Sequence, residues 1–159
     1  MAKCFRSWAA KFSPCAKHRG IQMTELPAGK VAAQIKYWQD GAADDMVTAR
    51  EIIKSTNRYA AGLFFLHLGI EKILKALYVQ RTCKYAPVTH NLLGLAAKCG
   101  LTLEADQERT LAEINEFNLE TRYPDDRDAF LQRVTPELTQ RSLAAAEGFY
   151  QWISGHLSH

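Results

Sequence analysis

Residues 1–22 contain no aspartate or glutamate, and no part of the 159-residue chain offers an apolar run long enough to span a bilayer. The most apolar stretch, Leu63 to Ile70, is interrupted by His67 and flanked by Arg58 and Glu71. A membrane-spanning protein is thereby excluded as an expectation. With only 5 Pro and 9 Gly against 47% hydrophobic residues, the chain is neither disordered nor collagen-like. Its length suits one domain with a sizeable core. The 4 cysteines, Cys4, Cys15, Cys83 and Cys99, form no C-x-x-C pair, so a disulfide scaffold or a structural zinc site is not indicated. Free thiols in a reducing compartment, and hence a cytoplasmic location, are the expectation. Cys4, Cys15 and His18 lie at spacings better explained by chance than by metal binding. Also missing are a phosphate-cradling glycine loop, an H-E-x-x-H zinc pair and a G-x-S-x-G nucleophile turn, which leaves most enzyme classes with local signatures unsupported.

The positive charge that is present is unevenly placed. Of the formal net charge of +3, the segment 1–22 supplies Lys3, Arg6, Lys11, Lys17 and Arg19. From Met23 onward, 15 basic residues face 17 acidic ones. The division predicts a basic N-terminal extension over residues 1–22, poorly ordered, followed by a helical domain over 23–159. The extension lacks the apolar core of a secretory signal, although its composition resembles an organelle transit peptide. The change of composition at Met23 makes that residue an alternative start. Nucleic-acid binding through this tail ranks last among the functional readings, because basic tails are commonly solvated extensions.

Beyond Met23 the periodicity is helical. From Lys30 to Ser55, Ile35, Trp38, Ala42, Met46, Ala49 and Ile52/Ile53 recur in steps of three and four, forming one stripe. Asp40, Asp44, Asp45, Arg50 and Glu51 lie mostly off it. Between Asn57 and Arg81 almost every direction is apolar, as expected for the centre of a bundle. The exceptions His67, Glu71 and Lys75, at i, i+4 and i+8, share one face as a polar seam. Pro87 falls in the loop that ends this helix. Thr89, His90, Asn91 and Leu92 open a short third helix that reaches Cys99 and stops at Gly100. A fourth, Glu104 to Arg122, ends before Pro124 and carries Asn115, Asn118 and Arg122 as a second seam. Thr135 as N-cap with Pro136 at the first helical position opens a fifth helix, with apolar positions from Leu143 to Leu157. The fold class is all-α, an antiparallel up-and-down bundle of about five helices.

The bland account of the seams is that they satisfy each other, Glu71 with Lys75 and the asparagines between helices, since an unpaired buried polar group costs roughly 1–3 kcal/mol. Arg122, followed by Tyr123, Pro124, Asp125 and Asp126, either pairs with those carboxylates or grips a phosphate.

Four blocks in order resemble the HEPN family. They are Trp38-x3-Ala42-x2-Asp45-Met46-x2-Ala49, Phe65-x-His67-x2-Ile70-Glu71-Lys72-x-Leu74-Lys75-Ala76-Leu77, Thr89-His90-Asn91-Leu92-x2-Leu95, and Asn115-x-Phe117-x4-Arg122-Tyr123-Pro124-Asp125. The resemblance spans roughly residues 30–157. It implies an HEPN-like bundle that forms a homodimer and is often encoded beside a minimal nucleotidyltransferase. Many members are metal-independent ribonucleases, commonly toxins of toxin–antitoxin type, whose activity needs an R-x4-6-H motif at the dimer cleft. Here Arg122 takes a fitting place, but Tyr-Pro-Asp-Asp-Arg-Asp-Ala follows and contains no histidine. Metal-free RNA cleavage near neutral pH needs a proton carrier such as imidazole, which neither Arg122 nor Tyr123 replaces.

The reading is therefore of a non-catalytic module that binds a nucleotide or RNA phosphate, or partners a nucleotidyltransferase, with no metal or other cofactor. Arg122 and Lys75 are the expected phosphate ligands, Asn115 and Asn118 orient them, Glu71 fixes Lys75, and Tyr123 stacks or carries a modification. The alternative is a ribonuclease in which Arg122 works with His67 or His90.

Overall fold

A computed structural model describes residues 25–118 and 124–157; the extension expected over residues 1–22 lies outside them. Six helices follow in order: α1 (Ala28–Ser55), α2 (Tyr59–Thr82), α3 (Leu92–Lys98), α4 (Ala105–Asn115), α5 (Pro124–Arg133) and α6 (Pro136–Ser154). Among the described residues the only extended pairing is an isolated antiparallel bridge between Glu25 and Lys84, beside which the Leu26 amide donates to the Cys83 carbonyl at 2.9 Å.

The stripe expected on α1 is the buried one: Ala42, Met46, Ala49 and Ile53 face α2, with Ile35 and Trp38 partly covered. Asp45 departs from the expectation. It is buried, and its carboxylate meets Lys72 of α2 at 2.7 Å, so a position read as peripheral belongs to the helix contact. The close approach of α1 and α2 is built on small residues. A Cβ on Gly62 would lie 2.5 Å from Ile53 Cγ1, and one on Gly69 would lie 2.8 Å from Met46 Sδ. The two helices consequently touch almost backbone to side chain along their length.

Central α2 buries Leu63, Leu66, Ile70, Ile73, Leu74 and Leu77, with α6, α3 and α4 packed on its other sides. The caps form where the residue types suit them. Asn91 Oδ1 accepts from the Gly94 amide at 2.9 Å to open α3, Thr135 Oγ1 accepts from Leu138 at 3.1 Å to open α6, and Gly100 follows α3 with φ of 68°.

The sixth helix comes from the region after the expected fourth one. α4 stops at Asn115 instead of running to Arg122, and α5 starts at Pro124, a favoured first helical residue. Phe130 is the buried anchor of α5 and packs against Phe117 with ring centroids 6.0 Å apart. One buried aromatic in ten residues gives almost no periodic signal, which is why a pattern search passes over it. Cys99 is a free, buried thiol, whereas Cys83 is disulfide-bonded, so the expectation of free thiols fails at that position.

Candidate functional site

Three turns of α2 carry the first polar seam, and the structure brings His90 to it from the loop ahead of α3. Glu71 is the centre. Its Oε1 accepts from Lys75 Nζ at 2.7 Å, while its Oε2 meets His90 Nδ1 at 2.9 Å and His67 Nε2 at 3.4 Å. His67 is fully buried, and Glu71 and Lys75 nearly so; only His90, with 49% of its side chain exposed, reaches solvent. Burial pushes the Glu71 carboxyl up, but its contacts with His67, Lys75 and His90 outweigh burial and hold it down at about 2. It is a buried carboxylate, stabilised by the groups around it.

The two histidines are held differently. The Ile114 carbonyl lies 3.2 Å from His67 Nδ1 and can only accept, so that nitrogen carries a hydrogen. His67 Nε2 points at Glu71 without a well-aligned hydrogen bond, and among the described residues it has no other partner. His90 turns Nδ1 inward to the carboxylate, which leaves Nε2 as its outward nitrogen. Above Lys75 the Trp38 ring of α1 sits with its centroid 5.0 Å from Nζ, a cation–π contact that helps offset the burial of the ammonium group.

In the second seam, Asn115 has a building role. Asn115 Oδ1 accepts from the Leu92 amide at 2.8 Å, joining the end of α4 to the first turn of α3. Asn118 is buried where the chain leaves α4. Arg122 and Tyr123 lie outside the described residues. Of the eight expected site residues, His67, Glu71, Lys75 and His90 thus form one network, while Asn115 does not join it.

A separate cavity of about 600 Å³ opens where the α1–α2 turn meets α5. Arg58 and Arg127 line it with Tyr59, Phe64, Leu131 and Val134. The N-terminus of α2 contributes Tyr59, Ala60 and Ala61 to its wall, with no side-chain cap and no acidic residue in the first turn. Neither guanidinium is held in an ion pair among the described residues. This volume falls within the range of about 300–1,000 Å³ usual for small-molecule sites. Sequence reasoning missed it because its residues come from segments roughly 70 positions apart and share no motif. The one local signal was Arg58 immediately ahead of an apolar helix that lacks an acidic first turn.

Comparison with known proteins bears on the fold and the family. The HEPN domain pattern matches residues 35–156. A search of curated proteins finds no match. Among solved structures the chain is similar to TT1696 from Thermus thermophilus, with 19% identity, a TM-score of 0.65, and coverage of 78% of this chain and 98% of that one. At that identity the likeness speaks for the fold. The pattern match, by contrast, runs from within α1 to just beyond the end of α6 and takes in the whole Glu71 cluster. The chain belongs to the HEPN domain family.

Proposed function

We propose that this chain is a non-catalytic HEPN module that binds the phosphate of a nucleotide or RNA. The observation that carries the reading is the cavity at the start of α2, where two guanidinium groups, Arg58 and Arg127, flank an uncapped helix N-terminus. Free amide hydrogens, the positive end of the helix dipole and guanidinium forks all favour a phosphate. Tyr59 and Phe64 in the same wall supply faces on which a base stacks. Lys75, first expected to be a phosphate ligand, is engaged by Glu71 and Trp38 inside the bundle, so Arg58 and Arg127 take that role. The module acts as a homodimer or against a nucleotidyltransferase partner.

The test is titration of the EDTA-treated protein with ATP, AMP and a short RNA by calorimetry, repeated on Arg58→Ala, Arg127→Ala and the double variant. Each single change is expected to weaken binding about tenfold, as loss of one charge-assisted contact of ~1.5 kcal/mol implies. No binding, or equal binding by the double variant, would falsify the assignment.

A second reading, the metal-independent ribonuclease, is favoured by one contact. Glu71 orients His90 with Nε2 toward solvent, the arrangement in which a carboxylate presents an imidazole for proton transfer. His67, fully buried and bonded to the Ile114 carbonyl, is poorly placed for that task. RNA cleavage that disappears in His90→Ala but persists in His67→Gln is the result that would select this reading.

A further inference from the structure

The geometry points to a divalent metal site made by His67 Nε2, Glu71 Oε2 and His90 Nδ1, taking a first-row ion of the zinc type with a fourth position toward solvent. The ligand atoms of these three residues all lie within 4.8 Å of one another. Two imidazoles and one carboxylate are a donor set suited to zinc and its neighbours, and three protein ligands with an open position are the pattern of reactive zinc sites.

Three details favour an ion over a simple hydrogen-bonded cluster. First, His67 Nε2 is fully buried and aimed into the cluster, where its one neighbour among the described residues is Glu71 Oε2 and the two form no well-aligned hydrogen bond, a poor arrangement for a buried polar atom unless an ion sits between them. Second, its distance from Glu71 Oε2 is 3.4 Å. A charge-assisted hydrogen bond would draw the pair to about 2.7–2.9 Å. Tetrahedral metal–ligand bonds of about 2.0–2.2 Å instead separate neighbouring ligands by about 3.4 Å. Third, the outer contacts are those that metal ligands require. The Ile114 carbonyl accepts from His67 Nδ1, fixing the tautomer that leaves Nε2 to the ion. Lys75 occupies Glu71 Oε1, so that Oε2 serves as a single ligand atom. His90, 2.9 Å from that oxygen, must move outward by about half an ångström to reach the same tetrahedral spacing, which a half-exposed side chain on a loop allows.

No ligand motif announced this set, because His90 lies nineteen positions from Glu71 and joins it only through the turn ahead of α3. The inference does not depend on the phosphate reading, since none of the three residues lines the Arg58–Arg127 cavity.

The experiment uses the full chain stripped with EDTA and titrated first with Co²⁺, then with Zn²⁺. One equivalent of Co²⁺ is expected to produce the visible absorption of a four-coordinate nitrogen–oxygen site, which Zn²⁺ abolishes. In His90→Ala the affinity should fall roughly 100-fold or more, beyond the 10–100-fold that loss of an outer contact costs. His156→Ala, which removes another exposed imidazole, should bind as the parent does. Failure to bind one equivalent, or a smaller loss in His90→Ala, overturns the site. Glu71→Gln gives a second reading where it folds; the surface variant decides the matter where it does not.

Discussion

Glu71 and His90 meet at 2.9 Å although one is buried in the middle of α2 and the other stands half-exposed on the loop leading to α3. The contact ties a surface side chain to a carboxylate held at about 2, against an ordinary value of 4.5. A carboxyl depressed in the folded state contributes stability above its unfolded value and loses it as pH falls through the folded one. The protein should therefore hold its stability from neutrality down to about pH 4.5 and lose on the order of 3 kcal/mol between there and about pH 2. Glu71→Gln should remove most of that slope. Urea unfolding at a series of pH values measures both, and parallel curves for the two proteins would count against the assignment.

Asn115 supplies the only acceptor found for the amide of buried Leu92 among the described residues. Asn115→Ala should cost about 1–3 kcal/mol, the penalty for leaving a buried donor unpaired. Asn115→Asp keeps the acceptor and adds a negative charge at the start of α3, so it should recover most of the loss. Denaturant midpoints of the three proteins distinguish a capping role from simple packing, in which both substitutions would cost the same.

Two glycines of helical segments should respond to alanine with opposite signs. At Gly148 on α6 nothing stands within 4 Å of an added Cβ, so Gly148→Ala should stabilise by up to ~1 kcal/mol through helix propensity. At Gly62 the same methyl would lie 2.5 Å from Ile53 Cγ1, on a stiff β-branched side chain in the core. Gly62→Ala should lower stability by about 1–3 kcal/mol despite the same gain in propensity. Thermal melts compare the two directly, and a stabilised Gly62→Ala would show that α1 and α2 yield more easily than their packing suggests.

The parts legible in the sequence were those governed by local periodicity and caps. Steps of three and four placed Ala42, Met46, Ala49 and Ile53 on the buried side of α1, and His67, Glu71 and Lys75 on one face of α2. Asn91 and Thr135 marked helix starts because their side chains satisfy amides a few residues ahead. What escaped depends on where separate elements meet. Trp38 over Lys75, Asp45 against Lys72, and His90 on Glu71 are pairings between elements, and no spacing along one helix encodes them. An amide side chain such as that of Asn115 looks the same in sequence whether it holds a substrate or a neighbouring backbone, and only the fold brings it to the Leu92 amide. Arg58 and Arg127 show the converse: an exposed arginine is ordinary in a sequence until a cavity gathers two of them.

The absence of side chains at Gly62 and Gly69 has a mechanical consequence. With α1 pressed so closely on α2, the hairpin they form cannot slide or roll without driving Ile53 or Met46 into main chain, so it behaves as a stiff beam. His67, Glu71 and Lys75 are mounted on that beam, and His90 is not. Adjustment of the proposed metal site accordingly falls to the linker between α2 and α3, through the half-exposed His90 imidazole and not the carboxylate.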